Sequence, residues 1–145
     1  MTHLLLDTSV LVKWFHTVGE GDILKARALR AAHASRELEA HILDLGLYEL
    51  GNVLVRGLGW SAVEVSDQLD DVFDIVGPPI VFERSWFGDA AQMAEAHTLT
   101  FYDACWAAAA RALTIPLVSA DRQLRAAGLA ESPREVVARL RLRVN

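Results

Sequence analysis

Short runs of apolar residues alternate along the 145-residue chain with longer stretches in which apolar residues recur every three or four positions. The short runs are continuous, which is typical of strands buried on both faces of a parallel sheet. The longer stretches have helical spacing, as at Leu47, Leu50 and Leu54. The predicted strands are residues 3–6, 40–43, 80–82 and 116–119, and the predicted helices are residues 9–16, 21–35, 45–57, 61–75, 86–97, 101–113 and 121–127.

Capping and chain-breaking residues mark the ends of several predicted elements. Ser61 and Glu64 have the spacing of a capping box, and Gly77 followed by two prolines ends the helix that they open. Gly128 follows another predicted helix, as glycine commonly does. Residues 132–143 open with Ser-Pro, which favours a helix start, but an edge strand is also compatible with this segment.

Strands that alternate with helices predict an α/β fold with a central, mainly parallel sheet covered by helices on both faces. The chain has no repeats and no long Gly/Ser linker, so one domain over residues 1–145 is expected. In folds of this kind the functional groups collect beyond the carboxyl ends of the strands. Acidic residues that directly follow a predicted strand are therefore the first candidates for a site.

The chain carries no obvious membrane or export signal. Its longest apolar run, residues 104–110, is far too short to cross a bilayer. The first residues lack the basic and apolar regions of a secretory signal peptide. Cys105 is the only cysteine, so no internal disulfide can form. We expect Cys105 to be a small buried apolar residue. We therefore expect a cytoplasmic protein.

The formal net charge of −5 argues against a nucleic-acid partner, but the distribution of charge weakens that objection. Half of the lysines and arginines lie in the last 35 residues, and a second basic cluster lies near the amino terminus. The residues of the two clusters are Arg111, Arg122, Arg125, Arg134, Arg139, Arg141 and Arg143, and Lys25, Arg27, Arg30 and Arg36. Phosphate binding and a solvated surface are both compatible with either cluster.

Four acids stand at positions that a doubly wound sheet would bring together. Asp7 and Asp121 directly follow predicted strands, Asp103 is the third residue after Thr100, and Glu49 lies near the edge of the apolar side of its helix. Each has a local explanation: a helix N-cap for Asp7 and Asp121, half of a capping box for Asp103, and an exposed helix charge for Glu49. These explanations give no reason for the acids to share one end of the sheet.

A carboxylate cluster of this kind matches the needs of a hard divalent cation. Mg²⁺ takes oxygen ligands in an octahedron and keeps several waters, so a few carboxylates can hold it without caging it. Such an ion can orient a water and neutralise charge that develops on a phosphate during cleavage. Without the cation the carboxylates would repel one another and their pKa values would be raised.

The residues around these acids resemble the motifs of PIN-domain proteins, in the order and spacing of that family. The four matching runs are residues 4–15 (LLLDTSVLVKWF), 47–54 (LYELGNVL), 100–104 (TFYDA) and 118–124 (VSADRQL). Each run alone is a weak signal, whereas the ordered set of four is a strong one and spans most of the chain. The pattern is most similar to the VapC-type toxins of VapBC toxin–antitoxin systems.

This resemblance implies a PIN-type three-layer α/β/α sandwich and a Mg²⁺- or Mn²⁺-dependent endoribonuclease that cleaves structured RNA such as tRNA or rRNA. Asp7 and Asp103 would be the principal metal ligands, and Glu49 and Asp121 would complete the acidic cluster directly or through water. Three further residues would orient carboxylates or contact phosphate: Ser9, Asn52 and Ser119. The resemblance also implies a homodimer that a cognate VapB antitoxin silences.

Three other functions compete with this one. A phosphatase with an aspartate nucleophile needs a second Asp two residues after the first, and Ser9 stands at that position. A non-catalytic module that binds RNA or an antitoxin would keep the fold but has no need of all four acids. A PIN nuclease of RNA maturation stays compatible with the sequence.

Other chemistry-bearing residues were assigned no function. None of the histidines has the spacing of a zinc-binding helix, so no zinc site is predicted: His3, His16, His33, His41 and His97. Four aspartates at helical spacing are predicted to form a solvated helix face: Asp67, Asp70, Asp71 and Asp74. The four tryptophans are predicted to serve packing.

Overall fold

The computed structural model describes residues 1–145 and has a small parallel sheet at its centre. The strands are β1 (Thr2–Leu6), β2 (Leu38–His41) and β3 (Leu117–Val118), in the order β2-β1-β3. Side chains alternate between the two faces of a strand. Leu4, Leu5 and Leu6 are nevertheless all fully buried, so both faces of β1 are covered by helices. The predicted α/β fold with a parallel sheet is therefore confirmed.

Eight α-helices surround the sheet. They are α1 (Thr8–Leu11), α2 (Ile23–Ala34), α3 (Asp44–Asn52), α4 (Ala62–Val76), α5 (Phe87–His97), α6 (Phe101–Leu113), α7 (Arg122–Ala126) and α8 (Pro133–Leu140). A 3₁₀ turn over Val12–Trp14 follows α1, a second one over Arg84–Trp86 precedes α5, and a π-helical turn over Val53–Gly57 continues α3. None of these helices is long and apolar enough to cross a membrane.

The strand predicted over residues 80–82 was wrong beyond its first residue. Ile80 continues the sheet for one position, because its backbone N–H donates to Ile42 O and its carbonyl accepts from Asp44 N, both at 2.9 Å. The ladder stops there because the chain turns into α3 at Asp44. The Asp44 side chain then accepts the Phe82 N–H at 3.3 Å, which replaces the next strand partner.

The carboxyl-terminal segment is helical, which settles the alternative that the sequence left open. A capping box joins Ser132 and Glu135 at the start of α8, and Pro133 occupies the first turn. Glu131, just before it, forms a parallel bridge with Val118 of β3: its N–H donates to Leu117 O and its carbonyl accepts from Ser119 N. This pairing fixes the end of β3, and with it the position of the residues that follow.

Tryptophans pack in the core, as predicted, and two of them also position neighbouring segments. Trp14 is almost fully buried, and its indole N–H donates to Ala26 O at 2.8 Å, which ties the 3₁₀ turn to α2. Trp106 is buried between α6 and α3. A Cβ added at Gly46 would lie 3.1 Å from the Trp106 ring, so the glycine permits this close approach of the two helices.

Candidate active site

Asp7 follows β1 directly and is the most buried acid of the molecule, with only 4 % of its surface exposed. It is the N-cap of α1, as its local explanation requires, and its Oδ1 accepts from Ser9 Oγ and from Val10 N. Burial raises the pKa of Asp7 to about 6. The Ser119 and Ser9 hydroxyls and the Val10 N–H oppose that shift, and the nearby charge of Asp103 adds to it.

Asp103 lies half-buried in the first turn of α6. Its backbone N–H donates to Thr100 Oγ1 at 3.1 Å, but the reciprocal bond of a capping box, from Thr100 N–H to the Asp103 carboxylate, is absent. The pKa of Asp103 is raised by burial first and then by the charge of Asp121; the Thr100 side chain opposes the shift, and the charge of Glu49 adds to it. The full capping box is therefore not formed, and the carboxylate also interacts with two other acids.

Glu49 projects from α3 and is held by two donors from other elements. Thr8 Oγ1 donates to Glu49 Oε1 at 2.8 Å, and Trp106 Nε1 donates to the same oxygen at 2.9 Å. Trp106 lies three residues after Asp103, so α6 carries one acid and orients another. Glu49 is thus not an exposed helix charge, and its Oε2 accepts no hydrogen bond from these donors.

Asp121 is the N-cap of α7 and follows the end of β3 after Ser119 and Ala120. Its Oδ1 accepts from Leu124 N at 3.0 Å, and its own N–H donates to Ser119 Oγ at 2.9 Å. The second carboxylate oxygen has no such role. Asp121 lies close enough to Asp103 to raise the pKa of that group, so its capping role and its membership of the acidic cluster are compatible.

These four acids converge on the carboxyl end of the sheet, and Asp103 is at the centre of the group. The charge of Asp103 raises the pKa of Asp7, and the charges of Asp121 and Glu49 raise the pKa of Asp103. They do not form a tight ligand set. The only three acidic, histidine or cysteine residues whose ligand atoms all lie within 4.8 Å of one another are elsewhere, at His3, Glu39 and His41. A cation among the four acids would therefore reach some of them through water, which suits Mg²⁺.

Ser9 and Ser119 join the strand ends beneath the acids. Ser9 Oγ donates to Asp7, accepts from Ala120 N at 2.9 Å and lies 3.4 Å from Ser119 Oγ. Ser119 is fully buried. Asn52 differs from both, because it is exposed at the end of α3 and makes no side-chain hydrogen bond. Of the two roles that the resemblance implies for Asn52, this exposed position suits contact with phosphate better than the orientation of a carboxylate.

Exposed aromatic rings lie in the groove beside Glu49, and the hydrophobic pattern of the sequence does not single them out. Tyr48 is 73 % exposed and Tyr102 is 61 % exposed, and each is the residue before one of the acids. Both line an open groove of about 470 Å³ that Glu49 and Asn52 also line. Their positions next to Glu49 and Asp103 in the two helical motifs are the signal that could have identified them.

Several basic residues have structural partners. Arg27 donates to Lys13 O and Arg30 donates to Trp14 O, so two members of the amino-terminal cluster fasten α2 to the 3₁₀ turn. Arg134 pairs with Asp22 at 2.9 Å. Arg139 makes a two-pronged pair with Glu131. For these residues the structure favours packing and surface pairing over phosphate binding.

The sequence matches the model of the PIN domain over residues 4–129, which includes all four motifs. The chain belongs to the PIN domain family. The resemblance inferred from the four motifs is thereby confirmed. No curated protein matches the sequence significantly.

Solved structures agree with this PIN domain over nearly their whole length. PAE2754 from Pyrobaculum aerophilum is 25 % identical, with a TM-score of 0.67 and 97 % of each chain covered. The sarcin–ricin loop cleaving toxin VapC20 of Mycobacterium tuberculosis is 19 % identical, with a TM-score of 0.67, 86 % of this chain and 95 % of the toxin covered. VapBC2 from Rickettsia felis, bound to a promoter DNA fragment, is 18 % identical, with a TM-score of 0.64, 87 % of this chain and 92 % of that chain covered. The last two likenesses support the fold.

Proposed function

We propose that this PIN domain is a Mg²⁺- or Mn²⁺-dependent endoribonuclease and the toxin of a type II toxin–antitoxin pair. The observation that carries the proposal is the buried carboxylate of Asp7 at the end of β1, with Asp103 close enough to raise its pKa. Burying an acid beside another acid costs folding free energy. A divalent cation shared by the two would offset that cost.

The donor atoms fit the proposed ion. The cluster offers carboxylate oxygens and serine hydroxyls, which suit Mg²⁺ and Mn²⁺, and no histidine or cysteine is among its predicted ligands. Asp7, with a pKa of about 6, is mostly ionised at neutral pH and can hold a cation. When bound, the ion would supply a Lewis acid for the scissile phosphate and would lower the pKa of a water.

Each side chain has a distinct role in this proposal. Asp7 and Asp103 hold the cation, and Asp121 reaches it directly or through water. Glu49 takes part with the oxygen that Thr8 and Trp106 leave free. Two hydroxyls fix the rotamer of Asp7, those of Ser9 and Ser119, while the exposed Asn52 contacts the phosphate chain from the groove.

The groove supports RNA as the substrate. Bases that are splayed out of single-stranded loops stack on exposed aromatic rings. Tyr48 and Tyr102 supply such rings in the groove that Glu49 also lines. Two phenylalanines, Phe87 and Phe101, extend this aromatic surface with parallel rings 6.1 Å apart. We propose that the chain cleaves a loop of a structured RNA such as tRNA or rRNA.

The proposed partners follow from the same assignment. Toxin–antitoxin complexes from Klebsiella pneumoniae and Rickettsia felis share the fold of this chain. We propose that a VapB-like antitoxin binds and silences this PIN domain, that the active form is a homodimer, and that it acts in the cytoplasm. Co-purification of the chain with the product of an adjacent short reading frame tests the first of these statements.

The decisive test of the nuclease is incubation of the purified chain with end-labelled total RNA in Mn²⁺ or Mg²⁺, against EDTA. We expect discrete fragments with either metal, none with EDTA, and none from the Asp7→Asn variant. Asp67→Asn, which removes a carboxylate from the exposed face of α4, is the matched control and should cut as the unchanged chain does. RNA that is bound but left whole by the metal-loaded protein would favour a binding module and overturn the nuclease.

A further inference from the structure

Three potential metal ligands meet on one face of the β1–β2 pair, apart from the acidic cluster. His3 Nδ1 lies 2.9 Å from His41 Nε2 and 3.2 Å from Glu39 Oε2. The third distance, from His41 Nε2 to Glu39 Oε2, is 4.0 Å. The two imidazole rings are stacked with centroids 5.2 Å apart, so their nitrogens are presented side by side.

The register of the parallel strands creates this cluster. His3 lies opposite Glu39 in the ladder, and His41 follows Glu39 by two residues. Residues i and i+2 of a strand share a face, and partners in the ladder point to the same side. The three side chains are therefore neighbours although 38 residues separate the histidines. Helical spacing of histidines indicates ligands on one helix and cannot indicate ligands on paired strands.

We propose that His3, Glu39 and His41 form a second metal site, which binds Zn²⁺ or a similar transition-metal ion. Two imidazole nitrogens and one carboxylate are a common three-ligand set for zinc with one position left open. With bonds of about 2.0–2.1 Å, the ligand atoms of a tetrahedral zinc site lie roughly 3.3 Å apart. The three observed distances bracket that value, so small side-chain rotations suffice.

The neighbouring groups leave these ligands available. His33 also lies nearby, but its Nδ1 accepts from Ala40 N and its Nε2 donates to Ile75 O, so both of its ring nitrogens are occupied. Burial lowers the pKa of His41, which Glu39 partly opposes and the other two histidines reinforce. A neutral imidazole is the form that ligates a metal. The hydrogen between His3 Nδ1 and His41 Nε2 belongs to one of the two rings, and a change of tautomer would leave both facing nitrogens available to an ion.

This site is separate from the acidic cluster in position and in chemistry. His3 and Asp7 are four residues apart on an extended chain, which places them roughly 13 Å apart at about 3.3 Å per residue. Imidazole nitrogens select zinc and its neighbours, whereas carboxylate oxygens select magnesium and manganese. An ion between β1 and β2 would pin the strand that carries Asp7, and would stabilise the folded state by linkage.

The test is titration of the untagged full chain with ZnCl₂, followed by calorimetry and by thermal unfolding. We expect one zinc ion per chain at this site and a rise in Tm on loading. His41→Gln should weaken zinc binding at least about tenfold. Loss of a residue that only orients a metal ligand already costs about tenfold or more in affinity, and His41 is itself a ligand in this proposal. Glu39→Gln, at an exposed position, should weaken it in the same direction and guards against misfolding of the histidine variant.

Two control variants separate this site from the rest of the molecule. His97→Gln removes an exposed histidine from the end of α5 and should leave zinc affinity unchanged. Asp103→Asn removes an acid of the cluster and should leave it unchanged as well, so a failure of the nuclease proposal does not affect this result. The zinc site is overturned if His41→Gln and Glu39→Gln both bind zinc as the unchanged chain does, or if Asp103→Asn alone abolishes binding.

Discussion

Two groups of four acidic residues in this molecule differ in their position along the chain and in their exposure to solvent. The acids of α4 lie along one helix and are all exposed to solvent: Asp67, Asp70, Asp71 and Asp74. Those of the cluster come from four separate elements and are buried or partly buried: Asp7, Glu49, Asp103 and Asp121. Water solvates the first group, whereas burial and the neighbouring charges raise the pKa values of Asp7 and Asp103 in the second. Density of charge along a sequence is thus a poor guide to a site, and position at the ends of buried elements is a better one.

The largest expected difference between the two groups is in cleavage rate. On the proposed function, Asp7→Asn or Asp103→Asn should lower the rate of RNA cleavage by at least about 10²–10³-fold, because each removes a charge that would hold the ion beside the scissile phosphate. Asp67→Asn should leave the rate unchanged. Initial rates with end-labelled RNA in Mn²⁺ measure this contrast. Wild-type rates for either cluster variant would remove the distinction between the groups.

The pH dependence of stability provides the next contrast. The pKa of Asp7 is about 6 when folded, against an ordinary value of 3.8. The unfolded chain therefore ionises first, and stability of the metal-free protein falls as the pH rises from about 4 through 6, by about 3 kcal/mol in total. Asp7→Asn should lose this dependence, whereas Asp67→Asn should keep it. Urea unfolding in EDTA at several pH values measures the effect, and parallel profiles for all three chains would contradict it.

A smaller difference is expected in metal affinity. Glu49→Gln keeps an oxygen for the Thr8 and Trp106 donors but removes the charge, so the fold should persist while Mn²⁺ affinity falls about tenfold. Asp70→Asn changes an acid on the exposed face and should have no such effect. Calorimetric titration with MnCl₂ compares the two variants. If they weaken binding equally, Glu49 does not belong to the site.

The smallest effect is expected at a serine beneath the cluster. Ser9→Ala deprives the Ala120 N–H of its acceptor and Asp7 of one donor, and should lower the free energy of unfolding by about 1 kcal/mol. Ser66→Ala, on the exposed surface of α4, is the matched control and should change it little. Denaturant unfolding of both variants measures the difference. Equal effects would mean that Ser9 does not support the site.

How far the sequence predicts this molecule depends on the range of the interactions involved. Asp7 and Asp121 were predictable because both follow continuous apolar strands, and the carboxyl ends of parallel strands meet at one edge. The hydrogen bonds from Thr8 and Trp106 to Glu49 were not predictable, because they depend on how three helices pack. No local sequence pattern predicts that the Trp106 ring packs closely against Gly46.

The same reasoning explains why the strand over residues 80–82 was wrong and why spacing along the chain does not bring His3 and His41 together. Residues 80–82 have the composition of a strand, but the start of α3 at Asp44 withdraws their partner after one position. His3 and His41 lie 38 residues apart and become neighbours only through strand register. Both depend on which segments pair, which composition and spacing along one segment do not specify.

The measurement that bears most directly on the acidic cluster is anomalous diffraction from crystals of the chain grown with MnCl₂. The account predicts a manganese peak at the carboxyl end of β1, between the carboxylates of Asp7 and Asp103. That peak should disappear in Asp103→Asn crystals. Manganese found only elsewhere, at His3 and His41 or along the acidic face of α4, would contradict the shared cation on which the nuclease assignment rests.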